Sequence, residues 1–205
     1  YKNTACIVSG YIFDKELTDI TADLVKDWKK TVKGGTYVYD PVFGDSQTFG
    51  LYVPQDVVDH SVEKLLPLAD ILTPNQFELE ILLKHKINTE QELLEHIAAH
   101  PLLSGKKVIL TSGILEDTPE GYIETILVEN NKATRFKIKD IPIQTVGTGD
   151  LFNGLISSRM ALNEDLKTAI SKSITFISAV LENVCKDGAD EITAAEMMDA
   201  LELLQ

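Results

Sequence analysis

The sequence predicts an α/β fold with a largely parallel central sheet, helices on both faces and a late antiparallel hairpin. Three observations carry that prediction. Short apolar runs alternate with longer stretches of helical periodicity, as strands joined by crossover helices do. Two strand-like runs, 122–129 and 133–138, bracket Asn130-Asn131, residues that suit a tight hairpin turn. No internal repeat, low-complexity tract or Pro- or Ser-rich linker divides the 205 residues, so one domain is the simplest organisation.

Cys6-Ile7-Val8-Ser9-Gly10 reads as a buried strand with almost nothing before it, and the chain reads as cut at its N-terminus. Leu17, Ile20, Leu24, Val25 and Trp28 then recur at helical spacing, and Gly34-Gly35 ends that helix. A strand over 37–40, a helix over 55–66, a short strand over 70–73 and a helix over 75–84 follow. Thr89-x-x-Glu92 and Thr193-x-x-Glu196 are capping boxes that open two more helices. Residues 107–111 form a strand feeding Ser112-Gly113. Helices over 148–162 and 164–182 come after the hairpin, the second with Leu166, Ile170, Ile174, Ile177 and Leu181 on one stripe.

Composition excludes several function classes. With 19 basic and 32 acidic residues the net charge is −13, which repels nucleic acid and anionic membranes. Cys6 and Cys185 stand alone, so neither a disulfide framework nor a zinc ribbon can form. No apolar run nears the ~20 residues of a membrane helix. The expectation is a soluble, cytoplasmic protein. Any nucleotide site in so acidic a chain must rely on a metal ion, backbone N–H groups and a few placed cations.

Three segments carry chemistry. In Val146-Gly147-Thr148-Gly149-Asp150-Leu151-Phe152 two glycines precede a helix, so backbone N–H groups and the helix dipole can receive an anion, with Asp150 beside it as a base. A Gly-rich turn capped by an acidic residue explains the same letters about as well. Asp40-Pro41-Val42-Phe43-Gly44-Asp45 follows a strand, where two carboxylates can meet Mg²⁺ directly or through its waters; taken alone, it reads more readily as a turn. In Thr73-Pro74-Asn75-Gln76-Phe77-Glu78, helix capping by Asn75 and Glu78 accounts for both residues. Their succession, each at a strand end, outweighs the three plain readings. His96 and His100 lack the adjacent Glu of a zinc-protease helix and read as a solvated face, as do Asp187, Asp190, Glu191 and Glu196. Neither a P-loop nor a dinucleotide fingerprint occurs.

These motifs, with Ser9-Gly10-Tyr11, Tyr52-Val53-Pro54 and Leu68-Ala69-Asp70 in this order, resemble pyridoxal kinases of the ribokinase-like superfamily from Cys6 to the end of the chain. The resemblance implies ATP-dependent phosphorylation of the 5′-hydroxyl of pyridoxal and related B6 vitamers, with Mg²⁺ and a monovalent cation (K⁺ or Na⁺), in a homodimer. It implies that Asp150 is the base and that the N–H groups of Gly147, Thr148, Gly149 and Asp150 cradle the transferring phosphate. Tyr11 would pack on the pyridine ring. Asp45, Tyr52, Thr73, Thr111, Ser112, Gly147 and Thr148 would meet ATP, while Asp40, Asp45, Asn75 and Glu78 would position the metal and its waters. Phe152 would be core packing. Family members begin with a strand and a Ser-x-x-x-x-Gly turn that hold the pyridine ring, and this segment has no counterpart here. Two rival functions accompany the resemblance. One is a hydroxymethylpyrimidine kinase of the same fold; the other is a non-catalytic scaffold that kept the fold without its substrate side.

Overall fold

A computed structural model describes residues 5–45, 50–143, 145–188 and 191–204. Its central sheet has six strands in the order β1-β2-β5-β6-β7-β8: β1 (Cys6–Ser9), β2 (Thr36–Tyr39), β5 (Ile71–Leu72), β6 (Lys107–Gly113), β7 (Tyr122–Glu129) and β8 (Lys132–Lys139). The first four run parallel and the last two antiparallel, which is the mixed sheet the hairpin signal predicts. Asn130 and Asn131, with φ of 51° and 61°, make the β7–β8 turn in the left-handed conformation that Asn tolerates.

Side-chain alternation divides the sheet between two cores. Tyr37, Tyr39, Leu72, Val108, Leu110, Ile126 and Val128 face one cluster, and Val38, Ile71, Ile109 and Leu127 face the other. The first cluster is covered by α1 (Lys15–Thr31), α2 (Gln55–Leu65), α3 (Gln76–Leu83) and α4 (Glu90–Ala99). The second is covered by α5 (Thr148–Ala161), α6 (Leu166–Asp187) and α7 (Ala194–Met198). Helix starts follow the capping chemistry: Asp14 caps α1, Asp165 caps α6, and the Asn75, Thr89 and Thr193 boxes each close with a Glu three residues on.

Several details differ from the sequence reading. A second, two-stranded antiparallel sheet pairs β3 (Gly44–Asp45) with β4 (Gly50–Leu51). Gly44 is obligatory there, since a Cβ would lie 2.1 Å from the Gly50 carbonyl oxygen. Single turns of 3-10 helix at Leu66–Leu68 and Leu201–Leu204 also lie outside the expected elements. Glu196 is buried at 6% exposure by its capping box and so is not part of a solvated acidic face; Asp190 lies outside the described residues. His96 is half-buried and stacks on His85 with centroids 4.3 Å apart, while His100 caps the end of α4, so neither belongs to a simple solvated face.

Candidate active site

Parallel strands deliver their following loops to one edge of the sheet. Ser9 pairs with Tyr39, Tyr39 with Leu72 and Leu72 with Val108, so Gly10-Tyr11, the Asp40–Asp45 loop and the Thr73–Glu78 segment leave the sheet side by side, with Thr111-Ser112 at the end of β6. The N-terminus of α5 sits over this edge. A Cβ on Gly10 would lie 3.5 Å from Asp150 Oδ1, and one on Gly149 would lie 3.8 Å from Asp40 Oδ2. Residues distant in sequence thus bring the predicted base to the ends of β1 and β2.

α5 begins at Gly147, whose φ of +88° favours glycine, and no side chain caps it. The first N–H groups of a helix have no intrahelical acceptor. With Gly147 facing open space, they are available to an anion. Asp150 lies exposed in the first turn.

The acidic loop is built on Glu78. This side chain is 3% exposed; its Oε1 accepts from Phe43 N at 2.8 Å and Gly44 N at 3.4 Å, and its Oε2 accepts from Asn75 N at 2.9 Å. Asn75 completes the frame by donating Nδ2 to the Gly44 carbonyl at 2.9 Å while its Oδ1 accepts from Glu78 N. The capping box is therefore present and extends beyond capping, because the same pair fixes the loop that carries Asp40 and Asp45. That loop holds Val42 at a φ of +42°, unfavourable for a β-branched residue.

Charge distinguishes this site from the rest of the molecule. Burial, then the neighbouring Glu78 and Asp150 carboxylates, push Asp40 up to about 8. Asn153 opposes this with a hydrogen bond from Nδ2 to Asp40 Oδ2 at 2.8 Å. Thr73 Oγ1 lies beside Asp40 and offsets part of the shift, although the buried hydroxyl meets full hydrogen-bond geometry with no protein atom. Burial also raises Glu78 to about 7, opposed by the three backbone N–H groups and reinforced by Asp45. Among the described residues no lysine or arginine is paired with Asp40, Glu78 or Asp150.

The remaining predicted residues divide between the cleft and its surroundings. A cavity of about 230 Å³ gathers Asp45, Asn75 and Ser112 with Gln76, Glu80 and Lys86. Ser112 is exposed, at a φ of +50° in the β6 bulge. Thr111 is tied to Pro74, its N–H donating to that carbonyl at 2.9 Å. Tyr11 and Tyr52 are exposed at 54% and 45% and outside this cavity. Phe152 is buried in the second core, as its packing role requires. Asn153 is the residue the sequence reading missed. Its signal was the i, i+3 spacing from Asp150, which puts both on one helix face.

Oxygen ligands and unrelieved negative charge suit a hard divalent cation. Among the described residues, no group of three His, Cys, Asp or Glu side chains is placed to hold a metal by itself. An oxygen-rich edge of this kind suits a hard cation brought in on phosphates better than one held by side chains alone.

Comparison with known proteins assigns the family. The family model for phosphomethylpyrimidine kinase matches residues 4–194. The chain belongs to that family. It is a ribokinase-like superfamily member closely related to pyridoxal and phosphomethylpyrimidine kinases. Pyridoxal kinase of Bos taurus is 31% identical over 193 residues, covering 88% of this chain and 62% of the bovine one. The chain therefore spans less than two thirds of that relative. Pyridoxal kinase of Entamoeba histolytica superposes with a TM-score of 0.80 at 25% identity, over 98% of this chain and 69% of its own. The Plasmodium falciparum PdxK structure with AMP-PNP and PL gives 0.79 at 26% identity, over 98% and 70%.

Proposed function

We propose that this protein is an ATP-dependent kinase of vitamin B6 alcohols, transferring the γ-phosphoryl group of ATP to the 5′-hydroxyl of pyridoxal. The observation that carries this reading is the placement of Asp150 at a glycine-opened helix start with no side-chain cap among the described residues, over strand ends that present the buried carboxyl groups of Asp40 and Glu78. In this reading Asp150 takes the proton of the attacking hydroxyl. The N–H groups at the start of α5 receive the negative charge on the transferring phosphoryl oxygens. Asp45, Asn75 and Ser112 line the nucleotide side with Tyr52, Thr73 and Thr111 behind or beside it, and Tyr11 supplies the vitamin side. When bound, magnesium neutralises phosphate charge. Asp40, Asp45, Asn75 and Glu78 would hold it through its waters.

Most of the named relatives are pyridoxal kinases, which favours pyridoxal. The family model itself is described by phosphomethylpyrimidine kinase, and this supports a hydroxymethylpyrimidine as the second reading. The proposal takes the 205 residues as one kinase domain, working with a monovalent cation in a cytoplasmic homodimer. The deciding experiment is a phosphoryl-transfer assay of the full chain with Mg-ATP against pyridoxal and hydroxymethylpyrimidine. Phosphorylation of pyridoxal at the higher kcat/KM is expected; preference for the pyrimidine reverses the assignment, and turnover of neither restores the scaffold reading.

A further inference from the structure

Asn153 occupies a position where the packing of α5 calls for an apolar residue. Its neighbours Phe152 and Ile156 enter the second core, and Asn153 is itself only 3% exposed. One end of its amide is engaged by Asp40 at 2.8 Å, in a bond buried on both sides. The other end, Oδ1, is buried and has no protein partner. With Asp40 ionised, the form a cation would meet, the reversed amide would aim Oδ1 at a carboxylate oxygen, so Nδ2 is the end that faces Asp40. A buried amide with one oxygen unsatisfied requires a reason beyond packing.

The surroundings supply one. Asp40 is flanked by Glu78 and Asp150, both acceptors, and on the side of α5 it meets Gly149, which has no side chain. Among the described residues, Asn153 is the side chain that donates to Asp40 within full hydrogen-bond geometry. Being uncharged, it can orient that carboxylate without neutralising it, and so leaves its charge for a cation.

Resting on the kinase reading above, we propose that Asn153 is a positioning residue for the metal side of the site: its N–H aims Asp40 toward the nucleotide-bound divalent ion. The pair also ties the loop after β2 to α5.

The test is an EPR titration of Mn²⁺ into the full chain with AMP-PNP, on the natural protein, Asn153→Ala, Asn153→Ser and Ser157→Ala, each with its thermal melt. Ser157 lies one turn further along α5, with its buried hydroxyl beside the Cys6 thiol, and serves as the packing control. Loss of a partner that orients a metal-site ligand typically weakens metal binding about 10–100-fold. Asn153→Ala should lose about 10-fold or more in Mn²⁺ affinity while remaining folded at the assay temperature. Asn153→Ser, which restores a donor, should recover part of it, and Ser157→Ala should bind as the natural protein does. Unchanged affinity in Asn153→Ala, equal loss in Ser157→Ala, or loss only in proportion to unfolded protein overturns the proposal. Failure of the natural protein to bind Mn²⁺ with AMP-PNP overturns the kinase reading, and this inference with it; binding there without an effect at Asn153 overturns the inference alone.

Discussion

Two buried carboxylate groups in this molecule are built in opposite ways. At the hairpin, Glu124 is fully buried and receives Arg135 through Nε at 2.5 Å and Nη2 at 2.8 Å, with Thr118 on one oxygen at 3.0 Å. The same guanidinium reaches Asp117 with two bonds of 2.8 Å. Its hydrogen bonds hold Glu124 below the usual carboxylate range despite burial. At the strand ends Asp40 and Glu78 lie deeper in the protein, no lysine or arginine is paired with them among the described residues, and burial raises both. The first arrangement is complete without a ligand and fixes a loop to a hairpin. The second is electrostatically incomplete, as groups that serve chemistry often are.

That contrast can be broken from either side. The largest effect is expected at Asp150→Ala, which removes the proposed base: turnover should fall about 10²–10⁴-fold with AMP-PNP affinity nearly retained, measured by steady-state assay and calorimetry. Near-normal turnover would remove Asp150 from the chemistry. Next comes Arg135→Met, which leaves Glu124 buried without its cation. Urea unfolding should show a loss of about 3–5 kcal/mol, and a loss below about 1 kcal/mol would class the pair with ordinary surface bridges.

A smaller effect concerns pH. Asp40 and Glu78 bind protons more tightly folded than unfolded, so the folded state is favoured at low pH and loses stability as pH rises from about 4 through their folded values of about 8 and about 7. Asp40→Asn should flatten this loss, which is on the order of a few kcal/mol, and Mg²⁺ with AMP-PNP should stabilise the natural protein more at pH 8 than at pH 5. Parallel melting curves for natural and variant protein across that range would contradict the raised Asp40. The smallest effect is Thr89→Ala, away from both clusters. Losing the α4 cap should cost about 1 kcal/mol in urea unfolding, with Mg²⁺ dependence unchanged.

Much of the scaffold was legible in the sequence because it rests on local pattern. Short apolar runs mark β2, β6 and β7, helical stripes mark α1 and α6, and the Thr89 and Thr193 boxes place helix starts to the residue. The β3–β4 pair was not legible: two-residue strands carry no periodicity, and only the contact of Gly44 with Gly50 defines them. Within the site, letters identified candidate loops but not their division of labour. Glu78 reads as a capping residue and is one, yet its grip on Phe43 and Gly44 spans a sequence distance no local pattern encodes. Asn153 has an unremarkable helical position until tertiary packing sets it against Asp40.

The carriage of the site by two separate cores has a further consequence. Asp150 and Asn153 ride on α5, packed on one face of the sheet, whereas Glu78 and Asn75 ride on α3 and the loop before it, packed on the other. The sheet is the plate to which both are bolted, and alignment across it is the quantity that wears first. On the proposed function, volume changes among Ile156, Ile170 and Val180 would tilt Asp150 relative to a nucleotide held opposite, so inherited variation in that core would slow turnover before abolishing it.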